Sequence, residues 1–126
     1  MSIKRIILGD DDREMCEEVS EALEDSGYTV RCVHCGEDVI EKVKKEKLSI
    51  VLMDLKMPGI GGYEAFKMIK KINPKIPIIF VTGSLPSDVE KQLKKVRFTR
   101  ILYKPFDIEK LIKEIDKVSK EGNTHE

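Results

Sequence analysis

Four short apolar runs in this chain each lead directly into charged or hydroxyl-bearing residues, and this arrangement limits the possible folds more than any other feature. Helix-like stretches separate the runs, and strands that alternate with helices form parallel sheets. Because the carboxyl ends of parallel strands lie along one edge of a sheet, the residues after the runs should converge there. These residues are Asp10, Asp11 and Asp12 after 6–9, Asp54 after 51–53, Thr82 after 78–81, and Lys104 after 101–103.

Three of these four carboxylates, a hydroxyl and an ammonium at one sheet edge are the components of a site for a divalent cation and a phosphoryl group. Mg²⁺ prefers carboxylate and carbonyl oxygens and keeps several of its waters. A lysine ammonium can bind a phosphoryl oxygen as a point charge. Asp54 is the most informative of these residues, because the Met57-Pro58-Gly59 turn follows it closely and ends the strand.

The hydrophobic pattern predicts a single α/β domain, residues 1–119, followed by a polar tail, 120–126, that is expected to be disordered. Strands are predicted over 3–9, 29–33, 49–54, 77–82 and 100–103, and helices over 13–26, 36–46, 62–72, 86–95 and 107–119. Asp107 is expected to be the N-cap of the last helix, and Pro86 is expected in the first turn of the fourth.

Composition excludes several classes of partner. The chain holds 23 Lys and Arg against 23 Asp and Glu, so net charge predicts neither direct nucleic-acid binding nor membrane binding. No apolar run approaches the roughly 20 residues that span a bilayer, and no signal peptide is visible, so a cytoplasmic protein is expected. Cys32 and Cys35 resemble half of a zinc site, but a second Cys or His cluster is missing from the sequence, so packing roles are expected.

The order and spacing of the motifs resemble the receiver domains of two-component response regulators, especially the single-domain chemotaxis type. The resemblance covers residues 3 to 119. The acidic pair of that family corresponds to Asp10 and Asp11, and its phospho-accepting aspartate to Asp54. The other matching positions are Met57, Pro58 and Gly62 in the loop, Thr82 as the hydroxyl residue, and Lys104 with Pro105. Each motif is weak evidence alone, whereas all of them in order are specific.

The resemblance implies a doubly wound five-stranded parallel sheet in the order 2-1-3-4-5, with the flavodoxin-like receiver topology. It also implies Mg²⁺ as the cofactor, with Asp11, Asp54 and the backbone carbonyl of Lys56 as direct ligands and Asp10 acting through water. Asp54 would then take a phosphoryl group from a phosphohistidine, while Lys104 and Thr82 bind phosphoryl oxygens.

The run of three acids permits a register shift by one residue. Asp10 and Asp11 are preferred as the pair, because Met15 then lies on the inward face of the first helix. Asp12 is expected to be the N-cap or a first-turn acid of that helix. The Lys104-Pro105 bond is a candidate cis peptide, which the family often has.

Two positions depart from the family pattern. Thr82 and an aromatic residue three positions before the lysine form the usual switch, but that position here is Ile101. A β-branched side chain has few χ1 options, so an aromatic rotamer flip cannot be the mechanism. In the family a turn of small residues usually precedes this strand, and in this chain the segment 96–100 stands in its place. Gly9 stands where a branched aliphatic residue is usual and is expected to admit a close neighbour.

The resemblance implies a signalling module rather than an enzyme. Its partners would be a histidine kinase or histidine phosphotransfer protein and an unknown downstream protein. Signalling is expected through the face of the fourth helix, fifth strand and fifth helix, with a phosphorylation-dependent homodimer as one outcome. That face is rich in lysine, and an ordinary solvated basic surface is an equally good interpretation.

Three alternatives are considered. The chain could be the receiver fragment of a larger DNA-binding response regulator. It could be an Mg²⁺-dependent phosphatase with an aspartate nucleophile, but such enzymes typically carry a second acid two residues later, where this chain has Lys56. It could be a flavodoxin-like electron carrier, but the acids at 10–12 would repel a flavin phosphate.

Overall fold

Five strands and five helices alternate along residues 4–122, the part of the chain that this computed structural model describes. The elements are β1 (Arg5–Gly9), α1 (Arg13–Asp25), β2 (Thr29–Val33), α2 (Gly36–Lys45), β3 (Ile50–Met53), α3 (Gly62–Ile72), β4 (Ile78–Thr82), α4 (Ser87–Lys94), β5 (Thr99–Tyr103) and α5 (Ile108–Gly122). Every predicted element is present.

The ends of the elements differ from the predicted ones by a few residues at most. The largest difference is in α5, which continues to Gly122 rather than ending at residue 119. The predicted start of the first strand at residue 3, and positions 123–126 of the predicted tail, lie outside the described residues. Within 4–122, no helix is both long and apolar enough to cross a membrane.

The strands form one parallel sheet in the order β2-β1-β3-β4-β5, as predicted. Gly9 at the end of β1 is in register with Val33 of β2 and with Met53 of β3. Thr82 at the end of β4 is in register with Tyr103 of β5. The carboxyl ends therefore lie along one edge, and the strand order changes direction between β1 and β3, where a doubly wound sheet binds its ligand.

Two apolar layers cover the two faces of the sheet. One joins β-strand residues to α2, α3 and Leu93 of α4, and the other joins them to α1 and α5. The strands are short runs of consecutive apolar residues because neighbouring side chains alternate between the two layers: Ile7 packs in the first and Ile6 in the second. Because both faces of the sheet are packed, the positions of the strand ends that carry the polar residues are fixed.

The helix ends explain several local sequence choices. The Asp12 side chain accepts a hydrogen bond from the Met15 N–H, so Asp12 is the N-cap of α1 as predicted. The Asp107 side chain likewise accepts from the Lys110 N–H at the start of α5. Pro86 is the N-cap of α4 and not a first-turn residue, which corrects the prediction by one position.

The cysteines are free thiols, as far as the described residues 4–122 show. Cys16 is buried, and Cys32 and Cys35 are half-buried. The Cys32 sulfur lies 2.8 Å from Oγ of Ser20 on α1. Packing between β2 and α1 therefore accounts for Cys32.

Candidate functional site

Two buried carboxylates lie side by side at the carboxyl edge of the sheet. Asp10 follows β1 and is 1% exposed, and Asp54 follows β3 and is 8% exposed. Each backbone N–H continues the strand pairing, since Asp54 donates to the Gly9 carbonyl at 2.9 Å and Asp10 to the Val33 carbonyl at 3.1 Å. The sheet itself therefore sets the separation of the two acids.

Lys104 joins the two carboxylates. Its ammonium donates to Oδ2 of Asp10 at 2.8 Å and to Oδ2 of Asp54 at 2.9 Å. Burial lowers the pKa of Lys104, but its bonds to the two acids outweigh burial, and the net pKa is raised. Burial raises the pKa of Asp10, and Lys104 offsets this only in part. The Lys104-Pro105 bond is cis, as predicted.

The second oxygen of each carboxylate is bound by backbone. Oδ1 of Asp54 accepts from the Lys56 N–H at 3.1 Å, and Oδ1 of Asp10 accepts from the Asp12 N–H at 2.9 Å. Asp11, between Asp10 and Asp12 in the sequence, is exposed. Met15 is half-buried and packs against the core layer under α1, as the chosen register predicts. The metal-ligand roles of Asp10, Asp11, Asp54 and Lys56 stay predictions.

Thr82 lies at the same edge, at the end of β4. It is buried, its carbonyl accepts from the Lys104 N–H at 2.8 Å, and its hydroxyl donates to the Ser84 carbonyl at 3.3 Å. Thr82 is thus tied through backbone to the lysine and through its side chain to the loop before α4. This arrangement suits the predicted switch role, which stays a prediction.

Ile101 on β5 is partly buried and packs against the core layer that includes α4. The turn before β5 also differs from a small-residue turn: Phe98 is buried and adopts a positive φ of 62°. Tyr103 is 40% exposed, and its hydroxyl donates to the Glu90 carboxylate on α4. A second tyrosine, Tyr63 of α3, also binds α4: its hydroxyl donates to Oε1 of Gln92 at 2.8 Å.

Two glycines admit close neighbours near the acids. A Cβ on Gly62 would lie 2.5 Å from the Asp54 carbonyl oxygen and 2.6 Å from Cα of Leu55, so the backbone of α3 packs directly on the loop after β3. A Cβ on Gly9 would lie 2.7 Å from Cγ2 of Val39, which explains the glycine at the end of β1. The close neighbour expected at Gly9 is therefore present.

The donor set fits Mg²⁺. Residues 4–122 contain no group of three His, Cys, Asp or Glu side chains arranged as ligands. Mg²⁺ does not require one, because it usually keeps several waters and takes only one or two carboxylates. The oxygens of Asp10 and Asp54 are hard donors that already converge on a cation, the Lys104 ammonium. Together with exposed Asp11, they would hold the ion.

Sequence reasoning missed two contacts. Nδ1 of His34, in the loop after β2, lies 2.8 Å from the Asp10 carbonyl oxygen. Oε2 of Glu37, at the start of α2, accepts from the Ile60 N–H at 3.1 Å and so binds the loop after β3. His34 lies inside the Cys-Val-His-Cys motif, in which the two cysteines are the conspicuous residues, and nothing in the pattern points to Glu37.

The doubly wound sheet, with paired buried acids and a lysine at its switch point, defines a class of α/β protein that binds its ligand at the carboxyl edge. The chain belongs to the response regulator receiver domain family, whose model matches residues 6–116. The receiver protein CpdR of Brucella abortus is 33% identical over 116 residues, which are 92% of this chain and 97% of CpdR.

Larger proteins contain the same domain. The transcriptional regulatory protein CrdR of Helicobacter pylori is 33% identical over 86% of this chain, which spans only 51% of CrdR. Among solved structures, a CheY-like receiver domain protein from Methanospirillum hungatei has a TM-score of 0.93 at 25% identity, over 99% of this chain and 100% of the other. CheY4 of Vibrio cholerae has a TM-score of 0.83 at 27% identity, over 93% of this chain and 99% of CheY4.

Proposed function

We propose that the chain accepts a phosphoryl group on Asp54 from a phosphohistidine of a histidine kinase or histidine phosphotransfer protein, in a Mg²⁺-dependent reaction. The observation that carries this proposal is the Lys104 ammonium in contact with Oδ2 of both Asp10 and Asp54. Phosphoryl transfer needs little covalent assistance beyond positioning and charge neutralisation. A fixed carboxylate beside a fixed ammonium supplies both.

In the transfer step, an Asp54 carboxylate oxygen attacks phosphorus in line with the P–N bond. A P–O bond forms, the P–N bond breaks, and the electron pair stays on the imidazole nitrogen of the donor, which takes up a proton. Oδ1 of Asp54 accepts from the Lys56 N–H, so Oδ2 is the attacking oxygen. It gives up its hydrogen bond with Lys104 as it bonds to phosphorus. Lys104 then binds a phosphoryl oxygen. Asp11, Asp54 and the Lys56 carbonyl would hold Mg²⁺, with Asp10 acting through water, and the ion would supply neutralisation of the phosphoryl oxygens.

The proposed output is a change in the face formed by α4, β5 and α5. Thr82 would move toward the phosphoryl group and release the Ser84 carbonyl at the start of the loop to α4. Lys91, Lys95 and Arg97 are exposed on this side of the molecule. An acidic partner or a second copy of the chain would associate faster there at low salt, because exposed charges mainly set the association rate.

We further propose that the chain acts as a cytoplasmic phosphoryl acceptor and not as an enzyme with a separate substrate. Two arrangements are open for its output. CpdR is matched over nearly its whole length, whereas CrdR and ZraR of Klebsiella oxytoca, both named transcriptional regulatory proteins, are spanned to 51% and 24%. The length of the natural reading frame distinguishes a single-domain regulator from the receiver of a DNA-binding one.

Intact mass spectrometry tests the phosphorylation. Incubation with Mg²⁺ and phosphoramidate should add one phosphoryl group to the protein, and EDTA should prevent it. Asp54→Asn should stay unmodified, while Asp88→Asn, which changes an exposed acid at the start of α4, should be modified as the wild type is. A phosphoryl group that persists in Asp54→Asn would show that Asp54 is not the acceptor.

A further inference from the structure

His34 binds the backbone of the acidic pair from a neighbouring strand end. Val33, the last residue of β2, accepts the Asp10 N–H through its carbonyl at 3.1 Å. His34 is the next residue, and its Nδ1 lies 2.8 Å from the Asp10 carbonyl oxygen. Two consecutive residues therefore hold both the N–H and the C=O of Asp10.

The contact with the Asp10 carbonyl requires a proton on Nδ1 of His34. A carbonyl oxygen can only accept a hydrogen bond, so Nδ1 of His34 must carry the proton. The Cys16 sulfur is a second donor to the same oxygen, but at 3.5 Å it is a weak one. The imidazole is thus the principal side-chain donor to the Asp10 carbonyl.

This carbonyl belongs to the peptide unit that links Asp10 to Asp11. Because a peptide unit is planar, an imidazole that fixes the direction of the C=O also fixes the N–H and Cα of Asp11. Asp11 is exposed, unlike Asp10, so the fold gives it less support. The direction of its side chain depends on the plane of the preceding peptide.

We infer that His34 is a positioning residue for the divalent-cation site, acting through the Asp10 carbonyl to aim the Asp11 carboxylate. This inference rests on the proposed function, in which Asp11 is a direct Mg²⁺ ligand. His34 touches neither the cation nor the phosphoryl group in this role. It resembles the outer partners that orient metal ligands in other proteins.

The test compares Mg²⁺ affinity, measured by isothermal titration calorimetry on the whole chain, across three variants. His34→Ala removes the donor and should raise the Mg²⁺ Kd about 10-fold, as the loss of an outer partner does. His34→Asn places an amide N–H near the position of Nδ1 and should stay within about threefold of the wild type. Cys16→Ala removes the weak donor, together with the sulfur of a buried core residue, and should stay within about twofold.

Two further readouts separate positioning from a general loss of structure. At saturating Mg²⁺, His34→Ala should take up phosphoryl from phosphoramidate at a rate within about twofold of the wild type. Its Tm should fall no further than that of Cys16→Ala, in which a buried core residue loses its sulfur. In ¹H–¹⁵N spectra without Mg²⁺, the Asp11 amide should shift in His34→Ala and return toward the wild-type position in His34→Asn.

The outcomes distinguish this inference from the proposed function. A His34→Ala Kd within twofold of the wild type overturns the role of His34 and leaves phosphorylation standing. A wild type that binds Mg²⁺ but takes no phosphoryl group overturns the proposed function and leaves the role of His34 standing. A wild type that binds no Mg²⁺ overturns both. Should His34→Ala fail to fold, His34→Phe, which keeps a ring but has no donor, takes its place: a Kd about 10-fold above the wild type supports the role, and a Kd within about twofold contradicts it.

Discussion

The ammonium of Lys104 lies 2.8 Å from Oδ2 of Asp10, although 94 residues separate the two in sequence. The pair spans the carboxyl edge of the sheet, since it connects the residue after β1 with the residue after β5. Asp10 is almost fully buried, so it depends on this ammonium and on the Asp12 N–H to satisfy its carboxylate. Lys104 therefore compensates part of the negative charge of the two acids at this edge.

Lys104→Met should destabilise the fold as well as slow phosphorylation. The change leaves the buried Asp10 carboxylate without its cation, and we expect a loss of about 2 kcal/mol in the free energy of unfolding at pH 7. Urea titration measures it. Lys110→Met, which changes an exposed lysine on α5, is the matched control and should stay within about 0.5 kcal/mol of the wild type. Equal stability of the two variants would show that the ion pair contributes little.

Mg²⁺ affinity should depend on Asp11 more than on Asp10. Asp10 is already bound by Lys104 and by the Asp12 N–H, whereas Asp11 is exposed and is the expected direct ligand. We expect Asp11→Ala to raise the Mg²⁺ Kd at least about 10-fold in calorimetric titration.

Asp12→Ala is the control for that titration, because Asp12 is the N-cap of α1. It should cost about 1 kcal/mol of stability without a comparable change in Mg²⁺ affinity. A larger loss of affinity in Asp10→Ala than in Asp11→Ala would contradict the assignment of ligands.

Gly62→Ala should disturb the loop that carries Asp54. The new Cβ would lie 2.5 Å from the Asp54 carbonyl oxygen, and backbone atoms cannot move aside as a flexible side chain can. We expect a loss of about 2 kcal/mol by thermal or urea unfolding, together with slower phosphoryl uptake.

Gly61→Ser is the neighbouring control for Gly62→Ala. A Cβ on Gly61 meets only the Leu55 carbonyl oxygen, at 4.0 Å, and serine is a favourable residue at this N-cap position of α3. It should leave both stability and phosphoryl uptake near wild type. Similar losses in the two variants would mean that the loop tolerates no side chain at either glycine, and the close-packing explanation would fail.

Phosphorylation should shift β5 less than in relatives that carry an aromatic residue at the position of Ile101. Ile101 packs into the core layer, and α4 is already bound at its surface by the hydroxyls of Tyr63 and Tyr103. Amide hydrogen exchange over residues 83–106, with and without beryllofluoride, measures the response. We expect the change to be centred on the loop before α4, whereas a large protection change centred on Ile101 would show that coupling does not need the aromatic.

Ile101→Tyr supplies the comparison within this chain. If the aromatic residue provides the coupling, this variant should extend the exchange response from the loop into β5. If the variant and the wild type respond alike, the identity of the residue at this position does not determine the response.

Much of the fold follows from local signals. Asp10, Asp54 and Lys104 each follow an apolar run and carry a charge that a buried strand interior excludes, so they mark strand ends in the sequence, and Thr82 is the last residue of its strand. N-caps are equally local, and Asp12 and Asp107 were predictable from the residues that follow them.

The contacts that complete the site are not local. The sequence predicts that Lys104 reaches the sheet edge, but the sharing of its ammonium between two carboxylates depends on the packing of β1, β3 and β5. His34 was missed because a histidine that binds a backbone carbonyl leaves no periodic pattern. Pro86 shows a smaller limit, since the first helical position, where proline is favoured, and the N-cap differ by one residue, and a sequence pattern does not place a helix start that closely.

The contact of Lys104 with both acids also determines the net charge of the site at the carboxyl edge of the sheet. Asp10, Asp11, Asp54 and Lys104 together carry two formal negative charges at neutral pH. One divalent cation would bring the pocket to electroneutrality. A phosphoryl group on Asp54 would then replace a monoanion by a dianion and leave one negative charge in excess. The Thr82 hydroxyl at the end of β4 and the N–H groups of the loop that follows lie at the same sheet edge and could balance it, so a movement of that loop would be the local response to a charge imbalance.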